Sequence, residues 1–409
     1  MMNRRLVNLA MADCKNRRFS LHRMDLSKLL FYPSTAEAEA AAAGGGHGRG
    51  GGKGKPPKIR KLRLPPPTMG FEPFPTADPF PSRDPWWLGG DSSIFVLLHG
   101  PRGEASRILF TSSEGQASMY DVDSRSVISV PDLSVPTRDG NGMPKAIVTG
   151  AGAGEEERLY VMRADGQLEL LDLSGGGGDN KSRATFSTNR RGRLLWQPLP
   201  PLPMVDPYIL SFTVVDSGRI ICLSIAGSDG AGTFCFDTVS QEWWQAGDWR
   251  LPFHGRAEYV PELNTWLGFS DDYPDHYLCA ADLSGVAMAP RQAPALQHVW
   301  EDFEPPPTEK TVSRVPNCPG IFVTKTMYWS IPQLFLVNLG SGRFCVAKVV
   351  HGMELVSVFW SMDSHEGPTD TFTVLTGVEV IRGGDGELRM VKHKSRELVH
   401  PGLDVACVL

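Results

Sequence analysis

Short hydrophobic runs that end in Asp or Asn, turn through a few small or polar residues and resume as a second hydrophobic run recur along the chain. The clearest are SMYDVDSRSVISV around Asp121, LELLDLS around Asp172, TFCFDTVSQEWW around Asp237, YLCAADLSGVAMA around Asp282 and LFLVNLGSGRFCVAKVV around Asn338. A period of two puts successive side chains on opposite faces of a strand, and Asp, Asn and Gly between the runs are turn formers, so each reads as a β-hairpin. Runs with helical periodicity of useful length are missing, which excludes most α/β arrangements.

Grouped by fours, the runs form repeating units. SIFVLLHG, RILFTSSE, ASMYDVD and SVISVPDL make one, and KAIVTG, RLYVMRA, QLELLDL and LLWQPLP a second. Residues 209–252, 255–300, 318–350 and 354–400 make four more. The N-terminal runs RLVNLAMAD, RFSLHRMD and KLLFYP add a partial unit with the same shape around Asp25. Hairpins repeated at this spacing predict an all-β fold, a β-propeller of seven blades, six being possible. An unpaired edge strand is a liability, so the final LDVACVL, residues 403–409, is expected to complete the N-terminal blade and close the ring.

Three segments follow from this division. Residues 1–34 supply the N-terminal strands of the first blade, 35–90 an insertion, and 91–409 the remaining blades and the closing strand. The insertion begins TAEAEAAAAGGGHGRGGGKGK and continues Pro-rich; Ala, Gly and charge bury too little apolar surface to offset the entropy of ordering, so disorder is expected. No window of about 20 apolar residues could span a membrane. The N-terminal stretch breaks its apolar run at Asp13 and Lys15, which argues against a secretory signal. The chain is therefore expected to be soluble and intracellular, cytoplasmic or nuclear, with the NKS sequon at Asn180 unmodified.

Charge is uneven. Residues 1–63 carry 14 Lys and Arg against 4 Asp and Glu, so with −5 overall the remainder carries −15. The basic part ends in KGKPPKIRKLR, Lys53 to Arg63, a solvated linker face in the plainer reading and a nuclear import address in the sharper one. The acidic remainder argues against nucleic acid as a ligand of the body. The seven Cys, at 14, 222, 235, 279, 318, 345 and 407, contain no C-x-x-C and mostly lie in apolar runs, which reads as reduced core thiols.

Motifs for chemistry do not hold up. GAGAGEEE from Gly150 has Glu155 where a dinucleotide loop needs its third glycine, and GGGGDNKS from Gly175 has Asn180 where a phosphate loop needs glycine before lysine. His298 with Glu301, Asp302 and Glu304 lacks the spacing of a zinc site, and SDDYPDH lacks the glycine and terminal Glu of a calcium loop. Catalytic, cofactor-binding and metal residues are therefore none, and no cofactor is expected. Tryptophans beside strand ends say more. They chiefly fill gaps between blades, but adjacent Trp243 and Trp244 must face opposite ways, so one can be core and the other a binding anchor. Trp243, Trp244, Arg256, Trp266 and Tyr273 are the candidate partner-binding residues, from loops expected around 243–256 and 259–273.

The segments FSLHRMD, FYPSTAEAEAA, MYDVDSRSV, WQPLPPLP, CFDTVSQEW, AGDWRLPFHGRAEYVPELNTWLGFS, LQHVWEDFEPP and LVNLGSGRFCVAK resemble an uncharacterised plant family expanded in grasses, domain of unknown function 1668. The resemblance covers nearly the whole chain, and its hairpins also look like those of kelch-type propellers. It implies no activity and no catalytic residues. The expectation is a non-enzymatic scaffold that presents loops to a protein or peptide partner. Two alternatives stand beside it: a small-ligand-binding or hydrolytic propeller that uses its central channel, and a nuclear regulatory adaptor. Oligomeric state is open.

Overall fold

The computed structural model describes residues 4–16, 18–44, 59–72, 94–99, 105–112, 115–133, 144–150, 157–163, 165–172, 195–204, 207–227, 230–272, 275–287, 292–303, 305, 307–314, 322–358 and 364–409. Nearly all of this is strand. β1 (Leu6–Asp13) and β2 (Arg18–Asp25) form a hairpin, followed by the short helices α1 (Ser27–Leu30) and α2 (Thr35–Gly44) and the strands β3 (Arg60–Arg63) and β4 (Met69–Phe71). Two four-stranded antiparallel meanders come next. One is β5 (Ile94–His99), β6 (Ala105–Thr111), β7 (Ala117–Asp121) and β8 (Ser126–Ser129); the other is β9 (Lys145–Thr149), β10 (Arg158–Met162), β11 (Leu168–Asp172) and β12 (Trp196–Leu199).

Two further meanders share one eight-stranded sheet. They are β13 (Tyr208–Val215), β14 (Ile220–Gly227), β15 (Gly230–Asp237) and β16 (Glu242–Gly247), then β17 (Phe253–Val260), β18 (Thr265–Ser270), β19 (Leu278–Ala281) and β20 (Leu296–Trp300). A short parallel contact joins them, Ser211 opposite Gly255 and Phe212 opposite Arg256. The last large sheet has six strands: β21 (Glu309–Arg314), β22 (Phe322–Gly340), β23 (Arg343–Val358), β24 (Ser364–Arg382), β25 (Leu388–Val399) and, parallel on its far edge, β3. Finally β26 (Asp404–Val408) lies beside β1, giving the order β26-β1-β2-β4.

This corrects the expected closed, kelch-like propeller of seven blades. The described strands form five sheets, all open, and none closes on itself into a barrel. The miscount has a local cause. Residues 318–350 and 354–400 were expected to be two four-stranded units, but each contributes one long hairpin, and the two hairpins pair through β23 and β24 into one sheet. Pro332 would ordinarily end a strand, yet the 19-residue β22 continues past it to Gly340, because a register shift between Ser330 and Gln333 absorbs the missing N–H.

Side-chain stacking holds the sheets together. Leu98, Leu109 and Met119 meet Leu159, Val161 and Leu171 between the first two meanders. Tyr160 and Met162 then meet Phe212, Ile221 and Phe236, and Cys222 and Cys235 meet Trp266 and Cys279. Leu267 and Phe269 pack on Phe344, Val346 and Val378; Leu9 and Met11 on Cys345 and Ala347; Ala10 and Leu21 on Ile108 and Tyr120. Each side chain of this size, once buried, contributes about 1.5–3 kcal/mol. Burial also pushes the Cys345 and Cys407 thiols up to about 12, where they stay protonated.

The recurring Asp has a single explanation. Its carboxylate accepts the backbone N–H groups two or three residues on, so it closes the turn that the next strand leaves from. Asp121 Oδ1 takes the N–H of Asp123 and Ser124, and Asp237 Oδ1 those of Val239 and Ser240. Asp282 takes that of Ser284, and Asn338 Oδ1 that of Gly340.

The N-terminal segment departs from expectation. KLLFYP was expected as a third strand, but Ser27 N–H and Oγ–H both donate to Asp25, the chain turns into α1, and Leu30 and Phe31 plug the core beside Val337 and Leu375. Gly377 allows this, because a Cβ there would stand 2.6 Å from the Leu30 carbonyl oxygen. β4 supplies the third strand instead, with Phe19 opposite Phe71. Within 35–90, Thr35–Gly44 is helical and Arg60–Arg63 and Met69–Phe71 are strands, while 45–58 and 73–90 lie outside the described residues. The end of the basic run is therefore an edge strand, with Lys61 3.3 Å from Glu397.

Candidate functional site

A cleft of about 1040 Å³ opens where the ends of β9, β13 and β17 come together with the turns that follow them. Its floor is apolar: Ile147, Phe212, Val214, Ala257 and the rings of Trp244 and Trp266. Its rim is polar, from Asp216 and Ser217 in the β13–β14 turn, Asn264 in the β17–β18 turn, and Asp282 and Ser284 after β19. The β13–β14 turn is tight, with φ of 50°, 50° and 91° at Asp216, Ser217 and Gly218. Gly takes that region without cost, and Asp tolerates it better than most residues.

Two aromatic side chains shape one wall. Trp266 is 6% exposed and donates its indole N–H to the Val214 carbonyl at 3.0 Å, so the ring is fixed. Tyr259 lies over it with ring centroids 4.6 Å apart, donates its hydroxyl to Asn264 Oδ1 at 2.8 Å and keeps 39% of its surface open. The pair therefore presents an amphipathic face held in place from behind.

Of the residues singled out from sequence, Trp244, Arg256 and Trp266 line this cleft. Trp243 lies on the other face of β16: its ring is 4.8 Å from Phe236, its indole donates to the Pro200 carbonyl, and it borders a smaller hollow of about 610 Å³ that Trp244 also reaches. Both tryptophans are half-buried against different apolar clusters. Tyr273 lies outside the described residues. The stretches expected as loops are largely strand, and every residue of β18 is buried. The rim residues Asp216, Ser217, Asn264 and Ser284 went unnoticed in sequence; their only signal is that each sits in a turn bounded by hydrophobic runs.

Arg256 is more than half exposed, and its Nη2 stands 3.8 Å from Glu258, too long for a hydrogen bond. Arg219, also on the rim, is fully engaged: Nε and Nη2 grip Asp237, which holds that carboxyl down to about 2. His298 and Asp302 do not converge, and Glu304 lies outside the described residues. His298 stacks on Trp300 and reaches Glu387, whereas Asp302 is wholly buried and holds Lys348 at 2.9 Å. Carbonyls of Asp275 and His276 complete the lysine's shell, so this pair is a staple between loop and sheet. Among the described residues, no group of three or more His, Cys, Asp or Glu could hold a metal ion, and no helix is long and apolar enough to cross a membrane.

The family described as "Protein of unknown function (DUF1668)" matches residues 4–399. No curated protein matches the chain. Among solved structures, the Cps50 (Swd1) beta-propeller domain of Myceliophteria thermophila aligns at 9% identity and TM-score 0.30, over 44% of this chain and 51% of that one. The chain thus spans about half the length of that relative. A putative TolB from Agrobacterium tumefaciens aligns at 10% identity and TM-score 0.31, over 75% and 91%.

Proposed function

The chain belongs to the DUF1668 family, and from that premise we propose that it is a non-enzymatic scaffold whose cleft between the β9, β13 and β17 ends receives a protein or peptide partner. The observation that carries this reading is the make-up of the cleft: an aromatic and aliphatic floor of Phe212, Val214, Trp244 and Trp266 inside a rim of exposed hydrogen-bonding groups. Interfaces are built this way, with an apolar centre that supplies affinity and a polar rim that supplies register. Tyr259 is large, held through Asn264 and still exposed, and Trp244 beside it is partly open, as an anchor for a partner side chain should be.

Site-directed photo-crosslinking in the full-length chain tests the reading. A benzophenone side chain at Ser217 or Ser284, both exposed on the rim, is expected to capture a reproducible partner that the same group at exposed Val127, on a different sheet, does not. Equal capture from all three positions, or none from any, overturns it.

A further inference from the structure

Among the described residues, the strand ladders set cysteine against cysteine at one place. Cys222 on β14 stands directly opposite Cys235 on β15, and their sulfurs are 2.9 Å apart. Cys279 instead faces Gly268 and Val299, Cys345 faces Val337 and Gly377, and Cys407 faces Ala10. Opposed residues of an antiparallel pair hold their Cα atoms about 4.5–5.5 Å apart, inside the range of about 4.4–6.8 Å that a disulfide spans. The sulfurs need only close to about 2.05 Å, which rotation of the two short side chains can supply.

The pair belongs to a row that reaches the cleft. Cys222 is also opposite Thr213 on β13, and Cys235 opposite Trp244 on β16, so Thr213, Cys222, Cys235 and Trp244 share one face across four strands. Trp244 and Thr213 both line the cleft, and the Thr213 hydroxyl donates to the Ala257 carbonyl at 2.9 Å, tying β13 to β17. The cysteines therefore lie one side chain behind the aromatic wall, in the cluster that holds Trp266 and Leu251. Both are wholly buried, and the contact with Cys235 together with burial raises the Cys222 thiol well above its ordinary value. They rest as slow, protonated thiols, and what they offer an oxidant is each other's nearness.

We infer that Cys222 and Cys235 form a reversible disulfide when a hydroperoxide reaches them, and that this bond fixes the row behind Trp244. One sulfur attacks the O–O bond of the peroxide and becomes a sulfenic acid, S–OH, with release of one water. The second sulfur then attacks the first, its proton leaves with that hydroxyl as a second water, and the S–S bond forms. Two thiols and one hydrogen peroxide thus give one disulfide and two waters, the sulfurs losing the two electrons that the peroxide gains. Because the second thiol is already in contact, the sulfenic acid is captured before a further oxidation. The bond cross-links β14 to β15 at the level of Thr213 and Trp244, so it stiffens the cleft wall whatever occupies the cleft.

The test treats the purified full-length chain with hydrogen peroxide, unfolds it in N-ethylmaleimide and weighs the tryptic peptide 220–250, which holds both cysteines and no internal Lys or Arg. From the untreated chain this peptide carries a maleimide on each cysteine. After peroxide it should carry neither and be lighter than the dithiol by two hydrogens, and dithiothreitol applied to the folded chain should restore both labels. Exposed Cys14 reports that the oxidant acted. Disulfide formation should also shift tryptophan emission, a shift absent from Cys235→Ala and reduced in Trp244→Phe. Full labelling of both cysteines after Cys14 has been oxidised overturns the disulfide, as does a sulfinic acid on either sulfur or a bond to any other cysteine. A disulfide present before peroxide that dithiothreitol opens only in urea would be a permanent staple, and one that forms only in urea a product of the unfolded chain; either overturns the reversible pair. Complete disulfide formation with unchanged emission overturns its hold on the cleft wall. Should Cys235→Ala fail to fold, the labelling of the native chain decides alone.

Discussion

Two glutamates, Glu379 and Glu258, sit among arginines, and they differ in how completely they are used. Glu379 is buried and accepts from the Thr35 hydroxyl at 2.8 Å, from Arg343 Nε at 3.2 Å and from His393 Nε2 at 3.2 Å. Glu258 is half-buried at the edge of a cleft and has Arg256 at a distance without a hydrogen bond. The first is a closed network that ties α2 and β23 to the β24–β25 pair. The second has donors left over. A satisfied polar cluster rigidifies the fold, whereas an unsatisfied one at an opening retains the capacity to bind.

The largest effect is expected at the closed site. Glu379→Ala leaves Arg343 and His393 without their anion and should cost about 2 kcal/mol in urea denaturation, less than a fully enclosed pair would because part of the network is near solvent. A loss no greater than that of Glu258→Ala would erase the distinction. Next comes pH. Burial lowers the His393 pKa below its ordinary 6.5 more than Glu379 raises it, and the neutral ring accepts the Tyr32 N–H at Nδ1. A group depressed in the folded state stabilises above its unfolded pKa, so this contribution is full above pH 6.5 and disappears as pH falls through the folded value. Burial raises the Glu379 pKa, but Thr35, Arg343 and His393 outweigh it and hold it below 4.5; its contribution is likewise lost on further acidification, below pH 4.5. The urea midpoint of the native chain should therefore drop between pH 7 and 5.5, and His393→Gln should flatten that drop. Some slope will remain from His22, His254 and His351, all lowered by burial.

How far sequence reached differs between the same two regions. Asp237 and Asp121 were legible as hairpin anchors because an Asp that closes its own turn acts within three residues. Alternation likewise puts Trp243 and Trp244 into separate clusters. Closure and count were misread because they depend on pairing across the chain: Pro332 lies inside β22, and β23 pairs with β24 as well as with β22. The cleft was hardest to see. Phe212, Asp216, Arg256 and Asp282 meet only once β13 and β17 lie side by side, and no local pattern relates Arg4 to Glu258. For Asp302, nothing within its own segment announces the pairing with Lys348.

Thr35→Val separates tethering from charge at the closed site. It removes one hydroxyl donor to Glu379, leaves Arg343 and the His393 ring in place, and should cost about 1 kcal/mol. The loss should be accompanied by faster amide exchange in α2, whose Glu39 reaches Arg389 across an exposed surface. Unchanged exchange in α2 would mean that the helix is held by its other contacts, such as Ala38, which is buried.

The smallest effect on stability, and the sharpest contrast, belongs to Arg256→Gln. The side chain is more than half exposed and its one described ion pair is long, so removing its charge should change unfolding free energy by no more than about 0.5 kcal/mol. If the cluster around Glu258 were a structural lock like that around Glu379, the same change would release Glu258 and cost several times as much. A stable variant separates the two regions by their part in the fold as well as by geometry. An unstable one would make Arg256 a member of the fold, with Glu258 as its ordinary partner.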